Sequence, residues 1–243
     1  MIRNPEVFKQ KLHLMKMNLA SSAGIHEGMK VLDVGCGEGT FTACIAKLVE
    51  ETGKVVAVDI TSEYLEEMNK ILEEYEVKHR VKFVRADVAE LSAILIPQSF
   101  DAAVSYRFIE ELTQPEKLPK IMTEMAKLVK RNGKVALVEL STKTRSVAEQ
   151  NLIRLHKEIG DDYFPAPKEI LNHMKNAGLT KVHVTTVKTG IWYSSSVFLR
   201  GVSSQDKIWT GYKERIMKEL WSSIKQHGMK YPPINIFTGQ KPQ

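Results

Sequence analysis

The segment from Val31 to Thr40 constrains the fold of this chain more than any other. Its first half, Val31 to Val34, is a short apolar run rich in β-branched residues, which predicts a buried strand. Glycine then occupies every second position from Gly35 to Gly39. Because glycine accepts positive φ and has no Cβ, this turn can bend sharply and bring its backbone against a ligand. Apolar residues at helical spacing follow, so we predict a strand, a glycine loop and a helix N-terminus.

A second apolar run, Val55 to Val58, ends in Asp59, twenty residues after Gly39. A carboxylate at the tip of the second strand of such a unit can accept hydrogen bonds from both hydroxyls of a ribose. The sequence therefore predicts a nucleoside site at the carboxyl edge of a parallel sheet.

The details of the loop indicate which nucleoside it binds. A dinucleotide fingerprint would need its third glycine at the position of Thr40. Asp33 and Glu38 would repel a pyrophosphate, whereas a ligand with a cationic ammonium and sulfonium would not be repelled.

Residues 31–40 resemble motif I of the class I S-adenosylmethionine (SAM)-dependent methyltransferases, and the resemblance extends over roughly residues 25–180. It implies an α/β fold with a Rossmann-like seven-stranded sheet, mostly parallel with one antiparallel strand, and helices on both faces. A C-terminal helical insertion or extension follows this core. The cofactor implied is SAM, with Asp59 on its ribose hydroxyls. A glycine turn in another α/β fold is the alternative.

The resemblance also implies which residues bind the cofactor. Asp87 follows the third strand, Val81–Val84, and in the family an Asp here accepts a hydrogen bond from the adenine amino group. The alternative for Asp87 is an N-cap of the next helical turn. The implied cofactor-binding residues are Asp33, Gly35, Cys36, Gly37, Gly39, Asp59, Ile60, Asp87, Val88 and Ser105.

The acceptor of the methyl group is expected beside the segment after strand four, Phe100–Ser105. This segment lacks the Asn/Asp-Pro-Pro-aromatic sequence of methyltransferases that act on amino groups of DNA and protein. Small-molecule members often carry two histidines where Glu110 and Glu111 stand. Tyr106, Glu110 and Glu111 are candidate catalytic bases, together with Tyr163 later in the chain, and a surface or packing role is the alternative for each.

A lid is expected between strand five and the following helix. Residues 141–166 are too long for a simple turn, and in the family an insertion here covers the acceptor. Tyr163 and Phe164 are therefore candidate substrate contacts, and a role in the core is the alternative. Trp192 and Tyr193 are added if residues 188–230 form a further insertion around the acceptor.

The position of the seventh strand is open between two segments. Val197–Leu199 is a short apolar run, and Ile234–Phe237 follows a predicted helix over 205–227. We favour Ile234–Phe237, because the closing sequence resembles the way many family members end and because proline can stand at the first residue of a strand. The prediction is one domain: a helical segment over 1–28, a core over 29–187, and a substrate-side insertion with the last strand over 188–243.

Composition agrees with an enzyme of this kind. The chain has 243 residues, 43% hydrophobic and 26% charged, which suits one α/β domain. It has no apolar run near the ~18 residues of a membrane span and no signal-peptide pattern at its N-terminus. The two cysteines, Cys36 and Cys44, favour free thiols in a reducing compartment, and we expect a cytoplasmic protein. The net charge of +6 is dispersed, so nucleic acid is an unlikely partner.

The expected reaction is in-line transfer of the SAM methyl group to a small-molecule acceptor, most similar in pattern to the members that modify quinones. No Cys/His spacing or clustered carboxylates indicate a metal, and the sequence does not predict an oligomeric state. Methylation of RNA or protein is the second hypothesis. A SAM-binding or nucleotide-binding protein without catalysis is the third.

Overall fold

The computed structural model describes residues 1–204 and 212–243. Contacts divide the chain into two compact units. The one that holds most of the main sheet, here the sheet unit, consists of Lys16–Glu139, Pro165–Thr185 and Asn235–Gln243. The other, here the helical unit, consists of Met1–Met15, Leu140–Phe164 and Thr186–Ile234.

Seven strands form the main sheet, and two short strands pair antiparallel in the helical unit. The strands of the main sheet are β1 Lys30–Val34, β2 Lys54–Asp59, β3 Val81–Arg85, β4 Phe100–Tyr106, β5 Val129–Leu140, β6 Thr180–Val187 and β9 Ile234–Gln240. The two short strands are β7 Trp192–Tyr193 and β8 Met229–Lys230. The strand order in the main sheet is β3-β2-β1-β4-β5-β9-β6, which confirms the predicted fold class.

The first five strands are parallel, and their register brings their carboxyl ends to one level. Val34 at the end of β1 lies opposite Val58 in β2 and Ser105 in β4. Tyr106, the next residue, lies opposite Val138 in β5. The residues that follow these positions therefore share one edge of the sheet, where ligands bind in open α/β folds.

The seventh strand is β9, as we favoured. The amide of Lys241 donates to the carbonyl of Gly133 near the start of β5, at 2.9 Å. The amide of Ser141, after β5, donates to the carbonyl of Pro233, before β9, also at 2.9 Å. This pairing is antiparallel. The other candidate, Val197–Leu199, belongs to a helix, so that alternative is wrong.

Nine helices are present in the described part of the chain. They are α1 Pro5–Ser22, α2 Thr40–Val49, α3 Leu65–Glu74, α4 Leu118–Leu128, α5 Val147–Arg154, α6 Pro167–Asn176, α7 Ser195–Ser204, α8 Lys213–Glu219 and α9 Trp221–His227. Short 3-10 segments occur at Lys78–Arg80, Val88–Ala93, Ile109–Glu111 and Pro115–Lys117, and a π-helical turn at Leu155–Ile159 follows α5. Within residues 1–204 and 212–243, no helix is long and apolar enough to cross a bilayer.

The predicted helix over 205–227 is interrupted where the structure describes it. Two helices, α8 and α9, meet at Leu220, whose φ of −125° is not helical. The predicted apolar stripe is nevertheless buried at Ile216, Leu220 and Ile224. Ile208, which belongs to the same predicted stripe, lies outside the described residues.

Candidate functional site

The glycine loop connects β1 to α2 and is bound to the end of β2. The amides of Gly35 and Cys36 both donate to the carbonyl of Val58, at 2.9 and 3.0 Å. The glycines have different surroundings. A Cβ on Gly35 would lie 2.2 Å from a ring carbon of Phe108. Gly37 has a φ of +49°, and its Cβ would meet no atom of the described chain within 4 Å. Gly37 therefore has open space where a ligand can approach the backbone.

Asp59 joins the glycine loop to the end of β2. Its Oδ2 accepts a hydrogen bond from the amide of Gly37 at 2.9 Å, and its Oδ1 accepts one from the amide of Thr61 at 3.1 Å. A carboxylate has about four acceptor positions, so two of them are left for a further donor. The neighbouring Ile60 is 64% exposed.

Asp33 is buried under the loop and is not a surface charge. Its Oδ2 accepts a hydrogen bond from the hydroxyl of Thr42 at 2.6 Å. Burial raises the pKa of Asp33 to about 7; the Thr42 hydrogen bond opposes this, and the charge of Asp59 adds to it. Asp33 would therefore not repel a pyrophosphate as a full negative charge. Burial likewise raises the pKa of the half-buried Cys36 thiol, which is neutral at physiological pH.

Asp87 caps the 3-10 segment after β3. Its Oδ1 accepts a hydrogen bond from the amide of Ala89, and its Oδ2 accepts one from the ammonium of Lys117, both at 2.9 Å. This is the capping role that the sequence left as an alternative, and contact with an adenine stays a prediction. The neighbouring Val88 is buried. Ser105 at the end of β4 is also buried, and its hydroxyl has no hydrogen-bond partner in the described part of the chain.

The three candidate bases after β4 have different environments. The ring of Tyr106 stacks on Phe41 of α2, with ring centroids 4.7 Å apart. Glu110 is buried and forms an ion pair at 2.6 Å with Arg107. Glu111, its neighbour, is exposed. The two glutamates are therefore not equivalent, and only Glu110 faces the interior.

Glu139 at the end of β5 is a buried acid that the sequence analysis did not single out. Its Oε1 accepts a hydrogen bond from the amide of Ile109 at 3.3 Å. Burial, followed by the negative charge of Glu110, raises the pKa of Glu139 well above its usual range. The sequence contained a signal: Glu139 ends an apolar strand, as Asp59 does.

Lys16 of α1 is a buried cation that the sequence analysis also missed. Its ammonium donates a hydrogen bond to the hydroxyl of Thr40, the first residue of α2. Burial lowers the pKa of Lys16, while the charge of Glu38 opposes that change. The sequence did indicate its burial: Lys16 lies three residues before Leu19, so the two share one face of the helix, and Leu19 is buried.

The lid and insertion candidates belong to the helical unit. Tyr163 and Phe164 are half-buried in the segment after the π-helical turn. Trp192 is 43% exposed, and its indole N–H donates to the carbonyl of His227 at 3.1 Å. Tyr193 is buried, and its ring centroid lies 4.5 Å from that of Phe8 and 6.2 Å from that of Tyr231. These contacts give Tyr193 a packing role within the helical unit.

Comparison with known sequences identifies methyltransferases in each case. A family profile described as a methyltransferase domain matches residues 25–188. A sterol 24-C-methyltransferase of Aspergillus fumigatus is 31% identical over 183 residues, which are 73% of this chain and 47% of that protein. The chain thus spans about half of that relative's length. A demethylmenaquinone methyltransferase of Bacillus cereus is 28% identical, over 69% of this chain and 76% of its own.

Comparison with solved structures identifies the same fold. The [4+2]-cyclase SpnF superposes with a TM-score of 0.66 at 16% identity, covering 95% of this chain and 81% of its own. Phosphoethanolamine N-methyltransferase 2 of Haemonchus contortus superposes with a TM-score of 0.60 at 20% identity, covering 94% of this chain and 52% of its own. At such identities the likeness concerns the fold alone.

Proposed function

The chain belongs to the class I SAM-dependent methyltransferases, and from that membership we propose that it transfers the methyl group of SAM to a small-molecule acceptor. One observation carries the proposal. The carboxylate of Asp59 is bound to the amide of Gly37, whose other side is open, at the edge where the parallel strands end. This combination offers a ribose acceptor and an approachable backbone side by side.

The residues around the loop fit the parts of SAM. We assign the open space at Gly37 to the methionine part and the remaining acceptor positions of Asp59 to the ribose hydroxyls. The exposed Ile60 offers an apolar surface for the adenine ring, with Asp87 and Val88 at its edge. The buried ammonium of Lys16, next to the N-terminus of α2, would pair with the methionine carboxylate. The other residues that we assign to the cofactor are Asp33, Gly35, Cys36, Gly39 and Ser105.

SAM supplies an electrophilic methyl group, so the protein has mainly to align the acceptor and exclude water. Alignment alone can contribute up to ~10 kcal/mol in favourable cases. A neutral oxygen, nitrogen or carbon acceptor must also lose a proton, and a nearby base can take it. Of the three candidates that follow β4, Glu110 is the best supported because its carboxylate is buried at the carboxyl edge of the sheet. The exposure of Glu111 and the stacking of Tyr106 count against those two.

The proposed acceptor is a small metabolite of the quinone or sterol kind. The relatives named above are named for a sterol and a menaquinone precursor. The segment after β4 lacks the sequence typical of DNA and protein amino-group methyltransferases, which also supports a small molecule. Cys36 and Cys44 are not joined in a disulfide, which favours a reducing compartment, and we propose that the enzyme is cytoplasmic.

Binding of SAM measured by calorimetry tests the proposal. We expect micromolar affinity, about −8 kcal/mol. Gly37→Arg should abolish binding by filling the space of the methionine part. Asp59→Ala should weaken it by about 1–3 kcal/mol through the lost hydrogen bonds. Gly178→Arg is the matched control: Gly178 also has positive φ and open surroundings, but it follows α6, far along the chain from the loop.

Unchanged SAM binding in folded Gly37→Arg and Asp59→Ala proteins would overturn the cofactor assignment. The acceptor class is tested by incubating cell extract, separated into metabolite and macromolecule pools, with the enzyme and radiolabelled SAM. Label in the metabolite pool alone is the expected result. Label in RNA or protein would contradict the small-molecule proposal, and binding without any transfer would contradict the enzymatic one.

A further inference from the structure

Glu139 and Glu110 are two buried acids that follow the ends of neighbouring strands of the sheet unit. Glu110 lies in the 3-10 segment after β4 and is paired with Arg107. Glu139 is the last residue but one of β5, within its run of buried residues and directly after Val138, which lies opposite Tyr106. Both acids therefore stand at the carboxyl edge, and Glu139 belongs to the strand that neighbours β4 on the side opposite β1.

The two oxygens of Glu139 are used differently. Oε1 accepts the backbone hydrogen bond from Ile109. Oε2 is buried and has no hydrogen-bond partner within residues 1–204 and 212–243. The side chain as a whole is only 6% exposed. Buried polar atoms without a partner are rare in folded proteins, and an oxygen of this kind at a ligand-binding edge points to a ligand group that completes it.

The surroundings of Glu139 favour its neutral form. Burial and the nearby charge of Glu110 raise the pKa of Glu139, and Arg107 and the backbone amides of Ile109 and Phe108 oppose this only in part. The adjacent strand β9, Ile234–Gln240, has no charged side chain to add. A neutral carboxyl group has an O–H donor, and a buried acid kept neutral by an apolar site can use that donor to bind an oxygen of a ligand.

We propose that Glu139 donates a hydrogen bond from its Oε2 to an oxygen atom of the methyl acceptor. The site would thereby select acceptors with a carbonyl or hydroxyl oxygen near the atom that is methylated. Glu139 then determines which acceptors bind, and another group removes the proton of the acceptor. The inference rests on the proposed function, because it names the acceptor class of the same site.

The proposal predicts how Glu139 variants bind a pair of probes that differ in one oxygen. 1-Tetralone has a carbonyl oxygen and tetralin has none. With the protein saturated in S-adenosylhomocysteine, the wild type should bind 1-tetralone about tenfold more tightly than tetralin, as one buried hydrogen bond allows. Glu139→Gln keeps a donor and should keep the preference. Glu139→Leu has no donor and should lose it.

The pH dependence separates a donor from a base. Binding of 1-tetralone to the wild type should weaken at high pH as Glu139 ionises, whereas Glu139→Gln should show no such change. A wild type without the preference, or a Gln variant that fails like the Leu variant, would overturn the proposal. A wild type without the preference would indicate that a bound water, and not the acceptor, is the partner of Oε2. A Gln variant that fails like the Leu variant would indicate that binding depends on the charge of Glu139.

Infrared spectroscopy reads the protonation state without any acceptor. In the difference between the spectra of wild type and Glu139→Gln at pH 7, the band of the partly protonated Asp33 cancels. A protonated carboxyl band of the wild type should remain in this difference, and its absence would overturn the proposal. Glu124→Gln is the matched control. Glu124 is also buried, but both of its oxygens have partners in Lys127 and Ser92, and those contacts lower its pKa. SAM affinity, measured separately, shows whether the proposed function itself has failed.

Discussion

Replacing Asp33 by Asn should stabilise the ligand-free protein, and increasingly so as the pH rises. The carboxyl of Asp33 is 1% exposed and has a pKa of about 7, against 3.8 for the ordinary group. The folded state therefore binds this proton more tightly than the unfolded state. Stability is lost as the pH rises from about 4 to about 7, because the folded chain must then either keep a proton or bury a charge.

The size of the effect follows from the two pKa values. A tenfold change in proton affinity corresponds to about 1.4 kcal/mol. At pH 8 the buried carboxyl costs the wild type about 4 kcal/mol, and at pH 5 about 2 kcal/mol. Asn cannot ionise, and its amide oxygen can still accept the hydrogen bond from Thr42. Asp33→Asn should therefore exceed the wild type in stability by about these amounts at the two pH values.

Urea denaturation at pH 5, 6, 7 and 8 measures the free energy of unfolding of both proteins. Asp101→Asn is the control of opposite sign, because the hydrogen bond from Lys130 helps to lower the pKa of Asp101 and the variant should lose stability at pH 8. If the curves of wild type and Asp33→Asn run parallel from pH 5 to pH 8, Asp33 does not titrate near neutrality and the reasoning is refuted.

Three further predictions concern the cofactor, the lid and the sheet. Lys16→Met should weaken SAM binding about tenfold or more in calorimetry but leave adenosine, which has no carboxylate, unaffected; equal losses would contradict the assignment. Replacing Tyr163 and Phe164 together by Ala should lower turnover while SAM affinity stays nearly the same, and a parallel loss of both would mean that these residues are core. Deleting residues 231–243 removes β9, so cooperative thermal unfolding should disappear; a truncated protein that melts like the full chain would disprove this.

The strands and the glycine loop could be predicted because their signals are local. An apolar run before Gly35 and another before Asp59 need only neighbouring residues to be recognised. The role of each glycine could not be predicted, because it depends on distant side chains. Phe108 fills the space beside Gly35, and Met68 fills the space beside Gly39. Only Gly37 has the open surroundings that the sequence suggested for the whole loop.

The buried ionisable side chains were missed for the same reason. Lys16 lies in a predicted helix and Glu139 at a strand end, and these positions alone do not distinguish them from exposed charged residues. Their burial is decided by segments far along the chain. The seventh strand shows a different limit. A short apolar run such as Val197–Leu199 fits a strand or a buried helix equally well by periodicity. We favoured β9 as the seventh strand because of the position of the prolines before it and because the closing sequence resembles that of many family members. Neither observation depends on periodicity.

The place of β9 between β5 and β6 has a consequence for synthesis of the chain. β5 ends at Leu140 and β6 at Val187, but the strand that joins them begins only at Ile234. Until that segment has left the ribosome, β5 has one unpaired edge and β6 has no partner strand, and unpaired edges are sites where chains associate wrongly. A nascent chain paused between Val187 and Ile234 is therefore the species of this protein most in need of a chaperone.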